Sequence, residues 1–125
     1  MIISIDPLAN TPIYTQLINQ IIIGIAEGKL KKGEALPSTR QLALDSGINT
    51  MTVNKAYQEL KAKGFIEIHR SEGTKVATNF PDTTEKEIFK EQIKILYAES
   101  RLLGVSKDEW KEWIKDLENE MEGLK

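Results

Sequence analysis

The apolar residues of this 125-residue chain change their period twice, and this constrains the fold more than any other feature. From Ile13 to Leu60 they recur every three to four residues, the spacing of one face of a helix. Between Phe65 and Thr78 they alternate with polar residues, as a strand with one buried side requires. From Ile88 to Met121 the helical spacing returns. Gly64 and Pro81 stand at the two changeovers, and Gly28, Gly47, Gly73 and Gly104 at ends and turns between them or beside them. The chain is therefore predicted to be α+β and mostly helical, with one hairpin set between helices.

The elements follow from their start and stop signals. Ile2-Ile3-Ser4-Ile5 reads as a short strand closed by Asp6-Pro7. Pro12 suits the first position of a helix, predicted over residues 12–27 and ended by Gly28. Lys29 to Glu34 is a polar connector with one apolar anchor. Ser38 and Gln41 have capping-box spacing, in which each side chain satisfies a backbone N–H at the helix start; a short second helix follows, with Leu42 and Ala43 facing inward. Gly47 supplies the positive φ of the turn Ser46-Gly47-Ile48. Asn49 caps a third helix, whose stripe of Val53, Ala56, Tyr57 and Leu60 falls on one face. Residues 65–69 and 74–78 read as paired strands around a Ser71-Glu72-Gly73 turn. Pro81 cannot continue a ladder, so residues 1–79 form one domain and 80–125 another. In the second, Thr84 with Glu87 and Ser106 with Glu109 offer caps for two helices. Trp110, Trp113, Ile114, Leu117 and Met121 make the stripe of the last helix.

Helix, short helix, glycine turn, helix and hairpin, in that order, is the arrangement of a winged helix-turn-helix. In it the second helix braces the third, and the amino end of the third enters a major groove. The side chains at that end are Asn49, Thr50, Met51, Thr52, Asn54 and Lys55. Asparagine pairs with adenine, and a threonine or methionine methyl meets that of thymine. The hairpin tip, Arg70-Ser71-Glu72-Gly73, is placed to follow the DNA backbone, and Ser38 at a helix start to donate to a phosphate.

At these residues the chain resembles the GntR family of bacterial regulators. The resemblance runs from Pro12 to Val76. It is carried by PIYTQL, by GKLKKGEALPSTRQLA from Gly28, by NTMTVNKAYQEL from Asn49, by KGFIE, and by GTKV from Gly73. The short tail, with Leu102-Leu103-Gly104-Val105-Ser106 between two helices, is similar to that of the YtrA-type subgroup, which carries a small helical dimerisation segment. The resemblance implies that Arg40, the arginine of the LPSxR motif, contacts DNA. It also implies that Thr50, Thr52 and Lys55 belong to the reading helix, and Arg70, Gly73 and Thr74 to the wing. Ser71 and Glu72 depart from the family's glycine and basic residues. Asn49 to Lys63 contains no arginine, so Arg40 is the better candidate for reading guanine.

Each of these residues also has a plainer reading. Arg40 can bridge to Asp45 on the surface. Thr50 and Thr52 suit any helix start. His69 belongs on a strand face, and Lys31 and Lys32 on a solvated connector. Trp110 and Trp113 can line a ligand pocket, but their spacing with Ile114 and Leu117 favours a core or an interface. Two short helices cannot bury their own apolar stripes, so a twofold homodimer is expected, with Ile93, Leu96, Tyr97, Trp110, Trp113, Ile114 and Leu117 at the contact.

Charge bears on the partner. The net charge is −2. Residues 1–80 carry 9 basic and 7 acidic side chains, and residues 81–125 carry 8 and 12. The slight basic excess lies where double-stranded DNA would bind; the acidic overall balance is the one support for the alternative, a winged-helix module that binds protein instead. With no cysteine, one histidine and no glycine-rich phosphate loop, an enzyme is not expected, nor a metal or other cofactor. Any small-molecule effector has to use the dimer interface or the junction between the segments. No apolar run is long enough to span a bilayer, and no signal peptide is visible, so the expected setting is the cytoplasm. The expected function is sequence-specific transcription regulation, read as repression, at a near-palindromic operator.

Overall fold

The computed structural model describes residues 3–124. The order is α1 (Ile13–Ala26), α2 (Thr39–Ser46), α3 (Thr50–Ala62), β1 (Ile66–His69), β2 (Gly73–Val76), α4 (Lys86–Leu102) and α5 (Lys107–Glu120). The described residues divide into two compact units, 3–80 with Leu124, and 81–123. Among the described residues no helix is long and apolar enough to cross a membrane.

In the first unit α1 and α2 both pack on α3. Leu17 and Ile21 of α1, Val53, Tyr57 and Leu60 of α3, and Val76 of β2 are the large side chains with essentially no exposure. Each apolar side chain so buried favours folding by about 1.5–3 kcal/mol. The α3 stripe is buried throughout, as its spacing predicts. Leu42 and Ala43 of α2 are buried too. Gly47 closes α2 at φ +74, and Asn49 Oδ1 accepts the Met51 N–H at 2.8 Å to open α3.

β1 and β2 pair antiparallel, with Ile66 opposite Val76 and His69 opposite Gly73. The connector before α2 covers the other edge of β2. Leu36 N–H donates to Thr74 O, Val76 N–H to Glu34 O and Gly33 N–H to Val76 O, at 2.8–3.0 Å. Both edges of β2 are thus paired, which ties the wing to the start of α2.

Three local expectations differ. Residues 3–5 form no strand, and Ile2, the first residue of that expected strand, lies outside the described residues. The backbone of the segment is partnered instead by side chains of α1. Ser4 N–H donates to Gln20 Oε1, Gln20 Nε2 to Ser4 O, Asp6 N–H to Gln16 Oε1 and Gln16 Nε2 to Asp6 O. Two amides one helical turn apart therefore stand in for a ladder. Ser38 makes only half of a capping box: its Oγ accepts the Gln41 N–H at 3.0 Å, while the Gln41 amide donates to Asp45 at 2.8 Å. Thr84 does not cap α4; Glu85 precedes that helix, and its N–H donates to Thr83 Oγ1 at 3.0 Å.

The second unit holds α4 and α5. The Ser106–Glu109 box is complete. No residue of either helix is buried, although both have one apolar face. Tyr97 and Trp110 rings lie 5.3 Å apart, and those of Trp110 and Trp113 5.7 Å. Trp110 Nε1 donates to Ser100 Oγ.

Candidate nucleic-acid interface

The two faces of α3 have opposite chemistry. Thr50, Met51, Asn54 and Lys55 are exposed, Thr52 is half-buried, and the apolar stripe faces the core. From Thr50 to Lys55 the rise is about 7.5 Å at 1.5 Å per residue, or roughly two base-pair steps at 3.4 Å each. Met51 is 80% exposed, so its methyl is open to a thymine methyl. Lys55 Nζ lies 4.3 Å from the centre of the Tyr14 ring, so a residue of α1 steadies the ammonium by a cation–π contact. Asn49 is exposed, but its Oδ1 is engaged as the α3 cap. Asn54 is the better placed of the two for a two-point contact with adenine, which needs both amide atoms.

Arg40 is exposed on the first turn of α2. The expected alternative, an ion pair with Asp45, does not form; Asp45 accepts from Gln41 instead. Ser38 accepts through Oγ, which leaves its hydroxyl hydrogen available to a phosphate oxygen. A residue whose importance the sequence did not reveal holds this segment to α3. Tyr57 is fully buried, and its hydroxyl donates to the Pro37 carbonyl at 2.8 Å. Burial pushes its phenol up from 10.0 to about 12. Its place in an apolar stripe marked it as core and gave no hint of the polar tie.

At the wing, Arg70, Ser71 and Gly73 are exposed, and Gly73 has φ +79. The acidic Glu72 pairs with Lys75 at 3.1 Å, which offsets the repulsion that its carboxylate would offer a phosphate. Thr74 corrects an expectation: it is only 8% exposed. It takes an inward position of β2, where burial alternates, so its side chain is not part of the wing surface. His69 lies on β1 and pairs with Glu67 at 2.8 Å. The His69 hydrogen bond, then the Thr78 N–H, hold the Glu67 carboxyl below its ordinary value.

In the second unit, Ile93, Leu96, Tyr97, Trp113, Ile114 and Leu117 are all exposed, and Trp110 is half-buried. Tyr97, Trp110, Ile93 and Ile114 line one open groove of about 450 Å³ with Lys107 and Lys111.

Comparison with known proteins places this geometry. Residues 13–76 match the family model described as bacterial regulatory proteins, gntR family. The chain is 39% identical to the HTH-type transcriptional repressor YtrA of Bacillus subtilis (strain 168), over 98% of this chain and 97% of that protein. It is 37% identical to the solved YtrA of Sulfolobus acidocaldarius, described as a GntR-family transcription factor, with a TM-score of 0.60 over 96% of this chain and 99% of that one. The AraR DNA-binding domain, solved in complex with operator ORX1, is 28% identical with a TM-score of 0.52, over 58% of this chain and 89% of that one. The chain belongs to the gntR family of bacterial regulatory proteins, and is a transcriptional regulator rather than an enzyme.

Proposed function

We propose that the chain represses transcription by binding a near-palindromic DNA operator as a homodimer, with one α3 in each of two successive major grooves. The observation that carries this is the outward amino end of α3, with Thr50, Met51, Asn54 and Lys55 exposed on one face and Arg40 exposed on the neighbouring helix. The operator-bound AraR domain, which shares this fold, supports DNA as the partner. In this reading residues 1–79 bind DNA and 80–125 join two subunits. Arg40 reads a base, Asn54 and the Met51 and Thr50 methyl groups read others, and Ser38, Lys55, Arg70 and Ser71 meet the backbone.

The apolar faces of α4 and α5 support the second subunit. Leu96 is 59% and Ile93 61% exposed, and two short helices gain too little from their own backbone to stand with such faces in water. A twofold partner would cover them and make the second half-site contact intramolecular. An effector would act through this same segment, by altering how the subunits join.

The test is selection of bound duplexes from a random pool at two salt concentrations. Inverted half-sites about one helical turn apart, with affinity falling steeply in salt, are expected. Replacing Arg40 with alanine is expected to weaken specific binding by about 1–3 kcal/mol. Equal weakening on random DNA would reassign Arg40 to a phosphate. Absence of any shift with a duplex at low salt would favour a protein-binding module.

A further inference from the structure

The segment before α1 is tied to that helix by side-chain hydrogen bonds, and it lies beside the reading helix. Ile5, Pro7 and Ile13 share a groove of about 360 Å³ with Ile48, Asn49 and Thr52. The chain leaves this groove at Pro7 and returns at Ile13, so the residues between project next to the amino end of α3. They are all exposed, Leu8 to 92%. Gln16 closes the loop at both ends, since its Nε2 donates to Asp6 O at 2.9 Å and to Thr11 O at 2.8 Å. Inside the loop, Asp6 Oδ1 accepts the Leu8 N–H at 2.9 Å. Leu8, Ala9, Asn10 and Thr11 are thus held out as a fixed, uncharged ridge. Asp6 is its one acidic group, with a carboxylate oxygen turned onto its own backbone.

We infer that the loop Asp6–Thr11 is a second DNA-contacting element, laid against the sugar–phosphate backbone that flanks the half-site read by α3; this rests on the DNA-binding reading above. Asn10 and Thr11 supply donors for phosphate oxygens, and Leu8 supplies an apolar surface for the sugars. A fixed loop makes these contacts with little ordering to do on binding.

Charge substitutions test this in the full-length chain with its selected operator duplex. Asn10→Lys places a cation on the ridge. Asp6→Asn removes the carboxylate yet keeps an oxygen for the Leu8 N–H. Ala62→Lys adds the same charge at the far end of α3 and serves as the control. The expected result is several-fold tighter binding for Asn10→Lys and Asp6→Asn but not for Ala62→Lys. Asn10→Lys should also lose about 12-fold more affinity than the parent between about 50 and 200 mM salt, the effect of two extra phosphate contacts, one from each subunit of the dimer. If Asn10→Lys and Asp6→Asn behave as Ala62→Lys does while Arg40→Ala still weakens binding, the loop assignment is overturned and the α3 assignment stands. If Arg40→Ala is without effect as well, the reading beneath both is wrong.

Discussion

Replacing Tyr57 with phenylalanine removes one oxygen from the centre of the first unit and leaves the ring volume unchanged. The phenol is fully buried, and its hydrogen bond to the Pro37 carbonyl is 2.8 Å long. Such a bond contributes about 1 kcal/mol net, whereas a stranded buried acceptor costs about 1–3 kcal/mol. Pro37 is half-buried, so water can reach the abandoned carbonyl in part, and the expected loss is about 1–1.5 kcal/mol. For a unit of this size that lowers the unfolding midpoint by roughly 4–12 °C. The pH dependence gives a second, independent reading. Tyr57 titrates near 12 when folded and near 10.0 when unfolded. Between those values the unfolded chain binds fewer protons, so stability falls as pH rises. The contribution is complete below pH 10 and lost by about pH 12, and two pKa units correspond to about 3 kcal/mol. The advantage of the parent over Tyr57→Phe should therefore shrink above pH 10 and then reverse. Lysine deprotonation affects both proteins alike and cancels. Urea unfolding followed by far-ultraviolet circular dichroism is the assay, because Trp110 and Trp113 report on the other unit. A variant as stable as the parent at pH 7, with a gap that does not change with pH, would refute the role given to this hydrogen bond.

Gly47→Ala should destabilise the first unit by about 1–2 kcal/mol, purely from a left-handed backbone, since no atom lies within 4 Å of the added carbon; Gly47→Asn should cost less, and chemical denaturation ranks the two. Leu96→Glu with Leu117→Glu should turn the proposed dimer into a folded monomer by light scattering and weaken operator binding by tenfold or more, as roughly expected when a linked second contact is lost; a dimer of unchanged mass would place the interface elsewhere. Glu67 should titrate below the other glutamates in a side-chain NMR titration, with His69→Ala removing most of that difference. Its depressed value means that its stabilising effect is present above the unfolded carboxylate range and fades as pH falls through the folded one.

The helices were legible because their signals are local. The stripe Val53, Ala56, Tyr57 and Leu60, the Asn49 cap and the Gly47 stop each lie within one turn of what they control, and all hold in the structure. The hairpin was legible for the same reason, as alternation around a glycine turn. Where a partner lies far along the chain, local pattern failed. Ile3 to Ile5 has strand character, but its backbone is matched by Gln16 and Gln20, amides that nothing nearby directs toward it. Thr74 looked like a wing-surface residue until pairing with Ile68 and the Leu36 N–H fixed which face of β2 turned inward.

From α1 onward, sequence alone thus determined the order and kind of elements, the α3 stripe and the face opposite it, because each depends on residues a few positions apart. Tertiary structure decided which polar groups are occupied and which remain to meet a partner. The Tyr57 hydroxyl took the Pro37 carbonyl, Gln16 and Gln20 took the backbone of Asp6 and Ser4, Lys55 settled over Tyr14, and Arg40 and Asn54 were left outward. That division has a physical cause: hydrophobic periodicity is a property of a segment, whereas satisfying a donor or acceptor depends on whatever the folded chain brings within about 3 Å.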